Sequence, residues 1–539
     1  MEKYIILSKI NAIHFLCGIF TIGLVFRLFY FDYTVPLILD SLSFFTYSAD
    51  IATMGKLPEN YDIAKPGWSY FLGIIFSIFN FEHTMQYMQL QKLLAISISS
   101  LTIFPIFFLI KKFFPSKYAL LGVLLFALDP RIMQNSLNGN SEPLFIFCIA
   151  TTILLFLNKN HKIIYFSFLL AGIAALIRPE GLFLFFGISL SYFIRFRKNR
   201  FLILKYILGL LLFILILAPV SLHKQQDGMY EPVYERAYNV LFNSETYDAK
   251  SRENTASETS SINSLETKPN IFILGLEHFF KYLVWVLIPL FILVTPAGFI
   301  IFFKFFNMDK LTIILLTIMM SIPAFYAYTF PFLETKYLYF LFPILCIFAA
   351  SFFKFFFEKF NKDNLLFVIC FVLIISSSLL FINLKFDFQK EHESTIIADY
   401  VVKNTKVINN YYPESLFIVG LDVKQNWKEY EQFYKKADRT IGLSGDIKTN
   451  QIYHPSTINI IEPSNYDSLE SFLFDPLHER ISHLVVDGKN DRPEFLNKIF
   501  YEENKYPYLN KIYDSHEHNL SYHVKVFEID YNKINNYLE

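Results

Sequence analysis

The sequence predicts a polytopic α-helical membrane protein with about eleven transmembrane helices and a C-terminal extracytoplasmic α/β domain. Three observations predict the membrane part and its tail. Hydrophobic residues make up 54% of the 539, and charged residues only 18%, against about a quarter charged in an ordinary soluble chain. The apolar residues gather into runs, most of them long enough to cross a hydrocarbon core of about 30 Å. After about Leu384 the pattern turns polar, rich in Lys, Glu, Asp and Asn. The chain therefore divides into residues 1–384 and 385–539, which face different solvents.

The expected spans are 11–31, 90–110, 118–134, 143–157, 163–178, 181–194, 201–219, 283–303, 311–329, 337–353 and 364–384. No small-residue cleavage site follows the first run, so it reads as a retained helix rather than a signal peptide. Alternate loops differ in charge. One set carries Lys3, Lys9, Lys111, Lys112, Lys117, Lys159, Lys162, Arg195, Arg197, Lys198, Arg200, Lys205, Lys304, Lys310, Lys354, Lys359 and Lys362. The other carries Asp32, Asp40, Asp50, Glu59, Asp62 and Glu82. The positive-inside rule places the basic set and the N-terminus in the cytoplasm, and an odd number of crossings puts the tail outside.

Two long outer segments interrupt the spans. Residues 32–89 contain a short apolar stretch, Gly67 to Phe79, that reads as a juxtamembrane or re-entrant helix. Residues 221–270, rich in Ser, Thr, Glu and Asn, read as a mobile loop. In the tail, 392–405 and 493–503 are expected to be helical. Residues 415–420, 482–487 and 522–530 are expected to be strands.

Formal net charge is zero, and the basic stripe that nucleic acid would require is missing. Cys17, Cys148, Cys346 and Cys370 all fall in apolar runs, which points to buried free thiols rather than a disulfide framework. His516-Glu517-His518 is the compact histidine cluster. Its spacing matches no metal-ligand pattern and fits a solvated loop. Asn519-Leu520-Ser521 has the form of an N-glycosylation acceptor, consistent with an outside tail.

Ionisable residues are costly inside a bilayer, so their clustering calls for a reason. Here they recur where spans meet the outer face: Asp40; Lys65; Asp129, Arg131 and Glu142; Arg178 and Glu180; Glu334 and Lys336. Taken singly, each suits a solvated helix end. Together they could line one cavity.

In order along the chain, Asp40, Lys65-Pro66, Ser141-Glu142-Pro143, Arg178-Pro179-Glu180-Gly181 and Lys336-Tyr337-Leu338 resemble a series of motifs in the GT-C superfamily. The superfamily comprises glycosyltransferases that depend on polyprenyl-phosphate sugars. The likeness is to its protein O-mannosyltransferase-like and lipid A aminoarabinose transferase group, and it covers essentially the whole membrane region. Gly67 stands where that group has a second proline, and Lys336 where it often has Arg.

The resemblance implies a plasma-membrane hexosyltransferase, with mannose as one candidate sugar. The donor would be a polyprenyl- or dolichyl-phosphate sugar, and the acceptor a hydroxyl on a protein, glycolipid or polysaccharide. A hydroxyl needs a base as it attacks, and Asp40 is the candidate. Direct displacement would invert the anomeric carbon. The departing phosphate needs positive charge rather than an acid, for which Lys65, Arg131, Arg178 and Lys336 are candidates. Glu142 and Glu180 could hold the acceptor, orient a cation or bind a divalent metal, whose participation the sequence leaves open.

Two other readings compete. An oligosaccharyltransferase-like ligase shares the membrane plan, but the tail has a lone Trp427 instead of that class's paired tryptophans. A transporter or lipid-linked sugar flippase would place charges or broken helices at the bilayer midplane, whereas the charge here is one-sided.

Overall fold

The structure, a computed structural model, describes residues 2–37, 39–57, 66–79, 81, 84–226, 271–304, 307–329, 334–360, 363–386, 389–390, 392–394, 396–397, 468–474, 483–488 and 494–538. Lys65, the loop 227–270, the strand expected at 415–420 and most of the helix expected at 392–405 lie outside these residues.

The membrane region is a helical bundle. Its elements are α1 (Glu2–Phe29), α2 (Leu39–Met54), α3 (Pro66–Ile78), α4 (Thr84–Leu101), α5 (Ile103–Ile110), α6 (Ser116–Ala127), α7 (Pro130–Leu137) and α8 (Glu142–Phe156). There follow α9 (His161–Ile177), α10 (Gly181–Arg195), α11 (Leu202–Gln226), α12 (Ile271–Leu287), α13 (Thr295–Phe303), α14 (Met308–Thr329), α15 (Phe342–Phe360) and α16 (Asp363–Lys385). Among the described residues, six helices are long and apolar enough to cross a membrane, and five shorter apolar helices accompany them.

Burial separates these helices by role. In the segment that includes α15, 78% of the apolar window is buried, against 11% in α11 and 17% in α16. Close packing at α15 depends on two small residues opposite it. A Cβ on Gly298 would meet the Phe348 carbonyl, and one on Gly122 would come within 2.9 Å of the Cys346 carbonyl. By contrast α11 exposes Ile203, Leu204, Leu211 and Leu215, and α16 exposes Leu365, Val372, Leu373 and Leu380. Helices so apolar and so exposed have lipid as their solvent. Of the cysteines, Cys148 and Cys346 are buried as expected, whereas Cys17 is exposed on α1.

Prolines set several helix ends that the apolar runs concealed. The run 118–134, expected as one span, stops at Ala127. Asp129, extended before Pro130 (φ −63, ψ 122), caps α7 by accepting from the Arg131 and Ile132 N–H groups. The run 283–303 is likewise divided between α12 and α13, with Pro289 and Pro296 at the break. The expected short helix at 67–79 is α3, while α2, just before it, is an additional helix that the sequence reading left as loop.

One charge within the first span escaped the sequence reading. Arg27 is fully buried. Its guanidinium donates to the Gly23 carbonyl (2.9 Å), the Ala127 carbonyl (2.8 Å) and Ser99 Oγ (3.1 Å), so it ties α1 to α4 and α6.

The described tail has α17 (Leu469–Leu473), β1 (His483–Val486), α18 (Glu494–Tyr501), β2 (Leu509–Asp514), β3 (Lys525–Ile529) and α19 (Tyr531–Leu538). The strands form an antiparallel sheet in the order β1-β3-β2, with Leu484 opposite Phe527 and Asn510 opposite Glu528. On α18, Phe495, Leu496, Ile499 and Phe500 recur at helical spacing and are buried. The expected β1, α18 and β3 are present. β2 is additional, because its LNKIYD pattern is interrupted by a register shift between Lys511 and Tyr513. His516 and His518 sit on an exposed 3-10 turn.

The tail is fastened beside the end of α16. Glu393 accepts from the Tyr522 N–H (2.6 Å) and from Ser521 Oγ (2.9 and 3.0 Å). Next to it, His392 Nδ1 lies 3.1 Å from Asp32 and 2.9 Å from Thr34 Oγ1, in the strap between α1 and α2.

Candidate functional site

Three local structures bring the acids and bases together. The first is the turn after α9. Because Pro179 disfavours the helical region for its predecessor, α9 ends at Ile177 and Arg178 is extended (φ −149, ψ 137). Gly181 starts α10 so close to α9 that a Cβ would lie 2.4 Å from Ala175 N. Arg178 then points into the protein rather than along α10. The start of α3 packs against the same place, where a Cβ on Gly67 would lie 2.6 Å from Ile177 N. Gly67 therefore sits at a close backbone approach that a larger residue would block.

The second is the start of α8. Glu142 occupies its first turn, with Pro143 after it. Arg178 and Glu142 are ion-paired through Nη1 and Oε1, and Arg178 Nη2 lies 2.7 Å from Glu180 Oε1. Asn135 Nδ2 donates to the other oxygen of Glu142 at 3.3 Å. This node is sealed: Arg178 is 1% exposed and Glu142 5%.

The third is a seven-residue 3-10 segment, Thr335–Leu341, where the sequence suggested the start of an ordinary span. Pro343 lacks the N–H that would close an α-helical bond to Tyr339, and Phe342 N–H bonds to that carbonyl instead. Runs of 3-10 helix this long are uncommon and often mark functional sites. Lys336 on this segment lies 3.0 Å from Asp40 Oδ2, in the first turn of α2, and 2.6 Å from Glu334 Oε2. This second node is open. Lys336 is 23% exposed, Asp40 47% and Glu334 55%.

Tyr337 joins the two nodes. It lies within electrostatic reach of Lys336 and Glu334 on one side and of Arg178 and Glu180 on the other. Among the described residues its hydroxyl has no hydrogen-bond partner, and the sequence, which places it in the motif Lys336-Tyr337-Leu338, assigns it no role of its own. A tyrosine beside a lysine in an apolar run carries no signal that its hydroxyl will face two ion pairs.

Of the predicted site residues, Asp40, Lys336, Arg178, Glu142 and Glu180 therefore fall into two linked nodes. Arg131 lies apart from them: it donates to the Ile288 carbonyl, and its guanidinium stands 5.1 Å from the Phe381 ring centroid. Lys65, just before α3, is outside the described residues. Among the described residues no group of three or more His, Cys, Asp or Glu is placed to hold a metal ion.

Residues 64–223 match the model of the family described as dolichyl-phosphate-mannose-protein mannosyltransferase. That stretch includes Lys65, Arg131, Glu142, Arg178 and Glu180, while Asp40 and Lys336 flank it. No curated protein matches the chain. Among solved structures, the apo oligosaccharyltransferase of Archaeoglobus fulgidus superposes with a TM-score of 0.52 at 12% identity. The match covers 88% of this chain and 69% of that one. ArnT from Cupriavidus metallidurans, solved with undecaprenyl phosphate, gives a TM-score of 0.49 at 10% identity, covering 97% and 98%.

Proposed function

We propose that this chain, a polytopic membrane protein with the fold of the GT-C superfamily of glycosyltransferases, moves a hexose from a polyprenyl- or dolichyl-phosphate carrier to an acceptor hydroxyl. Residues 1–384 form the transferase and 385–539 the extracytoplasmic domain, with the site at the outer face of the plasma membrane. The observation that carries the reading is the half-exposed Asp40–Lys336 pair, a base and a cation side by side at the rim of the family-matched helices.

The chemistry follows from that juxtaposition. Attack by a hydroxyl requires a group to take its proton as the new bond forms. Asp40 does this, in the first turn of a helix whose dipole favours a carboxylate. The sugar's bond to phosphate breaks on the opposite face, so the anomeric centre inverts. Charge grows on the leaving phosphate, and Lys336 with the Tyr337 hydroxyl supplies donors where it grows. The Arg178 cation is already met by Glu142 and Glu180, so its part is to hold the turn, and with it Tyr337, in place. Lys65, next in sequence to Pro66, is proposed as a further cation for the phosphate.

The test is sugar transfer from radiolabelled polyprenyl-phosphate sugars in membranes containing wild type or Asp40→Asn. Label entering with wild type and lost by at least about a hundredfold in the variant supports the reading, on the scale of general base catalysis. Its distribution among protein, glycolipid and polysaccharide identifies the acceptor. Equal transfer by both proteins removes Asp40 as the base.

A further inference from the structure

We propose that Glu334 is a positioning residue that sets how Lys336 divides its charge between Asp40 and the lipid phosphate left after transfer. The inference rests on the proposed roles of Asp40 as base and Lys336 as phosphate ligand. In the structure Lys336 Nζ is shared, 2.6 Å from Glu334 and 3.0 Å from Asp40. An ammonium is a compact charge on a flexible stem, and it moves toward whichever anion is strongest. The donor's phosphodiester carries one negative charge, as each carboxylate does, whereas the phosphate monoester left after transfer carries more and draws Lys336 from Asp40.

Glu334 is built to stay behind. Its carbonyl accepts from the Tyr328 hydroxyl at 2.8 Å. Tyr328 is fully buried and stacked on Tyr282 with ring centroids 5.0 Å apart. The backbone is thus pinned while the carboxylate stands at the rim, competing for the same ammonium. That competition limits how firmly Lys336 holds the lipid phosphate left after transfer, and so favours its release.

The experiment uses the full chain in lipid nanodiscs, with undecaprenyl phosphate as the binding probe and sugar transfer as the rate. Glu334→Gln removes the competing charge and leaves the shape. Binding should tighten about fivefold, the scale of a half-exposed ion pair, while kcat falls. Glu334→Asp should restore both toward wild type. A residue with only a structural role would lower kcat and weaken binding together, and that outcome, or unchanged binding, overturns the proposal. Should Glu334→Gln fail to fold, Tyr328→Phe frees the Glu334 backbone and should shift binding and rate in the same directions by less. Wild type that binds no undecaprenyl phosphate overturns the donor class proposed above, and Glu334's role with it.

Discussion

The two nodes have the same formal make-up, one cation between two carboxylates, and opposite surroundings. Around Arg178 the group is sealed, with both acids pinned by helix starts and a proline turn. Around Lys336 it is open, and its members come from segments nearly 300 residues apart, Asp40 and Lys336. Burial decides what each can do. Removing one member of a sealed ion pair strands the others without water, so such a pair behaves as framework. An exposed pair costs little to separate and can exchange partners during a reaction. A list of charged residues does not separate framework from machinery.

The sharpest way to break this contrast is to remove each cation. Arg178→Met leaves Glu142 buried without its partner and should cost about 3–5 kcal/mol, read as loss of monodisperse folded protein or a large fall in Tm. Lys at the same position should recover part of this, since it cannot serve both acids bidentately. The next largest effect concerns the tail. Burial alone would raise the Glu393 carboxyl, but the Tyr522 N–H and the Gln389 and Ser521 side chains outweigh it, so its pKa lies below the usual glutamate value of 4.5. A depressed value means that the docking it supports is complete above about pH 4.5 and is lost as pH falls further. The hydrogen-exchange protection factor at Tyr522 should fall on acidification in wild type, and in Glu393→Gln it should be low already at neutral pH. The smallest stability effect is expected at Lys336→Met, within about 1 kcal/mol, while sugar transfer collapses. If Lys336→Met destabilises as much as Arg178→Met, the open node is framework too.

Much of this was legible in the chain. Asp40, Glu142, Arg178, Glu180 and Lys336 stood out because charges at span ends are costly. Pro143 and Pro179 fall in turns that the expected spans already separate, whereas Pro130 divides a run that reads as one span. Three things required packing. Arg178 was a candidate for phosphate until Glu142, 36 residues away, was seen to meet it. Arg131 was another, yet it turns to the Ile288 carbonyl at the end of a helix whose own start the apolar pattern misplaced. The 3-10 segment before α15 looked like uninterrupted span because its residues are apolar. Only the missing Pro343 donor and the close neighbours of Tyr337 explain why it is wound more tightly.

Arg27 bears on how the chain is made. Arg27 stands in the last turn of α1, where an arginine costs less than the about 2.5–3.5 kcal/mol of a span's centre, and its acceptors outside α1 are Ser99 and the Ala127 carbonyl. Neither has been synthesised when α1 leaves the ribosome. From the last turn of α1 the guanidinium reaches the headgroups on its long stem, and its bonds to α4 and α6 are made only once those helices are in place.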